Sequence, residues 1–402
     1  MTEPEAGSGR EAGPSRFYRP MVARDTAERH RASTPLELLF DLCFVVAVSQ
    51  ASGRLHHALS AGEIGHGVGR YLLVFFAIWW AWVNFTWFAS AYDNDDVPYR
   101  LTTMVVITGA LILAAGIPRA FDGGDLVVLV IGYVVMRLAM VAQWVRAAIS
   151  DPPRRVTALR FAVGIAVVQV AWVVRLWIPA DLSVASFLFL VACELAVPVY
   201  AERAAGTTWH PTHIAERYGL FTLIVLGESV LASTTAVQAG FDVGGERLPL
   251  LALSAAALVI VFAIWWVYFD RSGEEVLTTR PSGFLYGYGH YVVFASAAAI
   301  GAGITVEVDA LLGVGDLSTH AAAFAVAIPV AGFLASVWFV HRRPGEPVRA
   351  VAFPVAALLV LAAPFGPEPL ALIAAILVGL VALTAATSPK SSLKRTAKPQ
   401  LR

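Results

Sequence analysis

Among the ionisable residues inside stretches apolar enough to enter a bilayer, Glu37, Asp41, Arg137, Glu194 and Glu228 are the candidates for a binding site. A charge at the centre of a membrane helix costs about 2.5–3.5 kcal/mol on insertion scales, so such residues face protein or water and mark an ion pathway or a buried pair. Carboxylates placed this way can hold a proton or a cation. Their other use is as hydrogen-bonding anchors between helices, and for Asp41 both uses are open. Glu37 and Asp41 stand four apart in the run Pro35 to Gln50, so they share one helix face, which Ser49 and Ser52 continue. For Arg137 the expected chemistry is an internal ion pair with Asp41, Glu194 or Glu228, because an unpaired guanidinium in mid-span is too costly.

Other polar groups read as structural. His210, His213 and Glu216 are three apart, a spacing that can gather metal ligands on a helix. Pro211 interrupts it and no cysteine assists, so hydrogen bonding at a helix start is the better reading, with Glu216 complementing the helix dipole. His290, among Tyr286, Tyr288 and Tyr291, reads as packing, and His56, His57 and His66 as residues of a polar loop. Cys43 and Cys193 fall within apolar spans, where thiols act as small hydrophobes. With no GxGxxG, phosphate-binding loop or nucleophile elbow, the chain is expected to be no enzyme, with no catalytic residue, bound metal or cofactor.

The elements that carry these residues follow from composition. Hydrophobic residues make up 58% of the 402 residues and charged ones 14%, which predicts an all-α membrane protein with the lipid bilayer as its solvent. The net charge of zero gives no reason to expect a nucleic-acid partner. Apolar runs of about 20 residues predict about twelve spanning helices. They fall near 36–53, 70–91, 101–118, 125–146, 157–178, 182–201, 214–238, 249–269, 283–306, 318–341, 347–364 and 368–387. Residues 1–33 read as a disordered tail and 389–402 as a short basic one. Of the 29 Lys and Arg, 23 fall on the side that holds both termini, Arg217 counted among them, so both termini are expected in the cytoplasm of a cell with this protein in its plasma membrane.

An internal repeat is also visible. Val74 to Trp80 is echoed by Val261 to Trp266, and Ala115-Gly116-Ile117 by Ala302-Gly303-Ile304, at offsets of 186 and 187. These offsets predict two parallel six-helix halves, 34–203 and 204–388, with Asp41 sliding onto Glu228. The paired tryptophans are expected mostly at the interface or facing lipid.

The stretches Thr34 to Gln50 and His213 to Leu231 closely resemble the bacterial low temperature requirement protein A family, and the likeness runs over about 33–385. Cys43 stands where that family more often has an aliphatic residue. The resemblance implies a multi-pass bacterial membrane protein named for a growth phenotype in the cold, with no molecular activity attached. A fainter similarity, six-helix repeats with Phe40 and Asp41 in the first helix, is to potassium channels carrying a Phe-Ser-Asp motif there, although the serine is absent here. The residues themselves point to transport of a proton, another cation or a small solute, with Asp41 and Glu228 as binding groups, Glu37 at the cytoplasmic entrance, Arg137 biasing their ionisation and Glu194 a weaker candidate. The competing expectation is a non-transporting envelope protein supporting growth at low temperature, whose buried acids serve helix packing.

Overall fold

Helix starts are written into the sequence. Thr34 caps the first helix through a reciprocal box with Glu37, and Pro35 occupies the first turn, where its missing N–H costs nothing. Thr279, Pro281 and Ser282 open the ninth helix in the same way. Asp96 caps the third by accepting from the Tyr99 N–H.

A computed structural model describes residues 17–25, 32–92, 94–179, 182–242, 247–341 and 346–387. The helices are α1 (Pro35–Ser60), α2 (Ile64–Ala91), α3 (Val97–Asp122), α4 (Val127–Ser150), α5 (Arg155–Val174) and α6 (Ser183–Ala201). They continue with α7 (Pro211–Asp242), α8 (Arg247–Phe269), α9 (Arg280–Leu311), α10 (Thr319–Val340), α11 (Pro347–Ala362) and α12 (Pro369–Thr387). Twelve helical segments of the described residues are long and apolar enough to cross a membrane, as expected. Being even in number, they return the chain to the side it started from, here called the termini side.

The expected ends shift where tertiary bonds extend a helix. α1 runs on to Ser60 because His56 and Ser60 both bond Asp309 of α9, at 2.6 and 2.7 Å, so His56 and His57 belong to its last turns rather than to a loop. The tail shows a similar difference. Within it, Met21 is fully buried, Ala23 pairs with Tyr92, and the Arg19 N–H donates to Asp96 at 2.7 Å.

Neighbour relations follow a similar order in both halves, except that α8 packs on α12 and α2 does not pack comparably on α6. α1 packs on α2 and α3, α3 on α4, α4 on α5 and α5 on α6; α7 packs on α8 and α9, α9 on α10, α10 on α11 and α11 on α12. The halves meet where α1 and α2 contact α7 and α9. α2 and α9 are the most enclosed helices, and this separates the two tryptophan pairs: Trp79 and Trp80 are 2% and 1% exposed, whereas Trp265 and Trp266 of α8 are 44% and 45% exposed. The lipid-facing expectation therefore fails for Trp79, Trp80 and Trp82, because α2 lies between the halves while α8 turns toward α12 and the outside.

Small residues set how closely the helices approach. A Cβ on Gly132 of α4 would lie 2.6 Å from the Gly109 carbonyl oxygen of α3, and one on Gly109 would lie 2.8 Å from that of Gly132. On α9, the small-residue run Ala295 to Ala299 takes hydrogen bonds from its neighbours: Tyr71 to the Ala295 carbonyl, Ser229 to that of Ala297 and Ser52 to that of Ala298.

Two outcomes follow. Gly132→Ala is expected to lower stability by about 1–3 kcal/mol in detergent unfolding, because two backbones must separate; an unchanged midpoint would show that α3 and α4 can part freely. Asp96 gives a pH signature. Burial pushes its carboxyl up, but bonds from Arg146, the Arg19 N–H and the Tyr99 N–H outweigh that and hold it below the usual carboxylate range. Its contribution is complete above the unfolded pKa of about 4 and lost as pH falls through the lower folded value, so Asp96→Asn should be less stable at neutral pH and flatten the acid limb of the stability curve.

Candidate functional site

Among the described residues, two ion-paired centres have both partners almost fully buried, and they differ in kind. The first joins α1 to α7 across the halves. Asp41 is fully enclosed and takes the guanidinium of Arg217 side-on, with Nε 3.0 Å from Oδ2 and Nη2 2.6 Å from Oδ1. The indole N–H of Trp82 on α2 donates to Oδ1 at 2.7 Å. One turn earlier, Glu37 splits its oxygens between two tasks. Oε2 accepts from the N–H and hydroxyl of Thr34, completing the α1 cap, while Oε1 lies 3.3 Å from His213 Nε2 and 3.4 Å from Arg217 Nη1.

Matched spacings explain this fit. Glu37 and Asp41 are i,i+4 on α1, His213 and Arg217 are i,i+4 on α7, and two adjacent helices rising in the same direction bring the faces into register. Arg24, from the N-terminal segment, is buried and close enough to act electrostatically on His213. Two carboxylates thus share Arg217, and His213, against Glu37, is the member of the set able to gain or lose a proton near neutral pH.

The second centre lies within the first half. Glu194 of α6 binds Arg137 of α4 at 2.7 Å and accepts from four further side chains: Trp80, Tyr133, Gln169 and Trp172. One acid meets one base: the Glu194 oxygens are fully supplied with donors, while among the described residues Nε and Nη1 of Arg137 find no partner. Of the three expected partners for Arg137, Glu194 is the one it has.

Asp41 and Glu228 are not brought together. Glu228 stands eleven residues beyond Arg217, about 16 Å along α7 at 1.5 Å per residue, half-buried and within hydrogen-bonding reach of Ser49. The trio His210, His213 and Glu216 separates onto different partners: the His210 N–H bonds Ser90, His213 faces Glu37, and Glu216 accepts from the Ser33 N–H at 3.0 Å. Arg217 and Trp82 are site residues the sequence reading passed over, Arg217 because it was counted as a loop charge.

A seam between α2 and α9 passes these centres and holds two cavities. The one on the termini side, about 60 Å³, is lined on α2 by Trp80, Val83, Asn84 and Trp87, a helical stripe, and reaches Glu202 and Arg280 at its mouth. The far-side cavity, about 430 Å³, is lined by apolar residues including Leu59, Ile64, Tyr71, Leu72, Tyr291 and Leu317. Between them sits an aromatic plug. Trp79 lies 5.3 Å from both Trp80 and Tyr291 and 6.3 Å from Tyr288, ring centre to ring centre, with Phe76 at 5.9 Å. Among the described residues, the Trp79 indole N–H is buried with no hydrogen-bond partner, a state that costs about 1–3 kcal/mol.

A sequence model of bacterial low temperature requirement A protein matches residues 32–387, the span of all twelve helices. An uncharacterized protein of Rhizobium meliloti (strain 1021) is 26% identical over 286 residues, covering 67% of this chain and 68% of its own length.

Removing one partner of the α1–α7 centre strands a buried charge. Arg217→Gln is expected to cost about 3–5 kcal/mol in detergent unfolding, and adding Asp41→Asn should recover at least half of the loss. Additive losses in the double variant would show that the two side chains are not energetically coupled.

Proposed function

The chain belongs to the bacterial low temperature requirement A family, and from the arrangement of its bundle we propose that it is a transporter that moves a small solute along the α2–α9 seam, with a proton or other cation coupled at the α1–α7 centre. One observation carries the reading: two cavities near opposite ends of the same pair of helices are parted by an aromatic plug. On α2 the plug spans from Leu72 to Trp80, about 12 Å, and on α9 only from Tyr288 to Tyr291, about 4.5 Å. A small relative movement of these helices would join one cavity to the other site while closing its own mouth. The unpaired indole of Trp79 favours such a plug, since a passing polar group or water would satisfy it.

The charge centre is suited to govern that movement. Trp82 ties α2 to Asp41, and Trp87 ties it to the Tyr218 hydroxyl at 2.9 Å, so α2 cannot shift without disturbing both α1 and α7. Protonation of His213, or of a carboxylate beside it, changes the attraction that holds these helices together. The similar neighbour order of the halves supports reading them as parallel repeats, with the centre on their boundary. Glu194 and Arg137 are given a fixed structural role, Glu228 and Ser49 a secondary polar site, and no residue a catalytic one. The excess of Lys and Arg on the termini side supports placing both ends in the cytoplasm.

The test is flux in liposomes across protons, alkali cations and small solutes. Wild type is expected to conduct or exchange at least one, Asp41→Asn to lose its dependence on a pH gradient, and Glu194→Gln to lose stability in step with flux. No flux above empty vesicles for any of them, with Asp41→Asn altering stability alone, would leave the acids as helix-packing groups.

A further inference from the structure

The termini-side cavity has a lining that its size alone does not require. Trp80 and Trp87 come from α2, Trp144 from α4, Phe161 from α5, Tyr288 from α9 and Trp209 from the α6–α7 linker. The Trp87 and Trp209 rings meet edge to face at 5.1 Å, Trp80 and Tyr288 do so at 5.6 Å, and Trp144 stacks on Phe161 at 4.1 Å. The indole N–H groups of Trp80 and Trp87 are taken by Glu194 and Tyr218, so these rings have no donor left for a guest and offer it carbon and π-electrons. One Asn84 amide N–H is likewise taken, by the Trp80 carbonyl, which leaves its second N–H and its oxygen.

The charged groups at the mouth are Glu202 and Arg280, and they are not equivalent. Arg280 is exposed, lies over Gly206, donates to the Glu202 carbonyl at 3.4 Å and acts through space on the Glu202 carboxylate. Glu202 is half-buried beside Thr207, whose hydroxyl bonds its carboxylate. Burial pushes the Glu202 carboxyl up from its usual range, with Thr207 and Arg280 opposing, as expected of an acid that lacks water and gains from a cation.

We infer that this cavity is an aromatic cage for a small organic cation of the methylated-ammonium class, held by cation–π attraction with Glu202 as counter-charge. The cavity is compact, about 60 Å³, which limits the guest to a small head group. The inference rests on the transport reading only in making this cation the substrate; the cage itself does not depend on it.

Three probes of one shape and different charge test it on the full chain in detergent by calorimetry: tetramethylammonium, tert-butanol and pivalate. Tetramethylammonium is expected to bind saturably and the other two not. Glu202→Gln and Trp209→Leu should each weaken it about tenfold, while Trp209→Phe, which keeps a ring, should bind within about threefold of wild type and report on folding. No binding of tetramethylammonium overturns the assignment. So does equal binding of tert-butanol, which would leave an apolar hole, and so does preference for pivalate lost on Arg280→Gln, which would make it an anion site. Binding insensitive to Glu202 and Trp209 would place the cation elsewhere and overturn it too. Cage binding with no flux of any solute removes the transport reading alone, whereas flux of other solutes without cage binding removes this inference alone.

Discussion

The contact on which the bundle turns is the side-on pairing of Asp41 with Arg217. Two full charges taken out of water are costly, and they persist only because the geometry is bidentate and the remaining acceptor is filled by Trp82. This one pairing sets the register of α1 against α7, and with it the relation of the first half to the second. Glu37 strengthens the link by serving the α1 cap with one oxygen and His213 and Arg217 with the other. Unfastening the centre would therefore reach both the start of α1 and the tryptophans of α2.

The contrast with Glu194 explains why a transport role is given to one centre and not the other. Glu194 and Arg137 are matched one to one, ringed by donors from α2, α4 and α5, and enclosed in one half. Nothing there changes state without breaking the fold. Across the halves, two acids share Arg217 with an imidazole against one of them, next to helices that also line the cavities. A set of this kind has more than one way to be neutral, which is what a bistable element needs.

The twelve spans were legible because each follows from the length and composition of an apolar run. The Arg137–Glu194 pair was legible as one of three options, since a mid-span guanidinium needs an acid and few were available. Arg217 was not, because it stands six residues into a stretch that reads as a polar helix start, and hydropathy does not show that the N-terminal segment and α1 close over it. The signal that would have revealed it is the spacing: Glu37 and Asp41 on the first helix of one half, His213 and Arg217 on the first helix of the other, both i,i+4. The burial of Trp79, Trp80 and Trp82 was hidden for another reason. Trp80 and Trp266 sit in nearly identical runs, and only the docking of α2 between the halves, against the outward turn of α8, tells them apart.

The most direct measurement is of paired distances at the two ends of the seam, by pulsed electron resonance in lipid nanodiscs with Cys43 and Cys193 replaced. Spin labels at Arg203 and Thr279 report the termini-side mouth, and labels at His66 and Thr319 the far side, all four being exposed positions. If the α1–α7 charge centre governs alternate opening of the seam, each pair should show two populations. Their weights should move in opposite directions with pH, and Asp41→Asn should remove that dependence. A single distance at both ends, unmoved by pH and by Asp41→Asn, would contradict it.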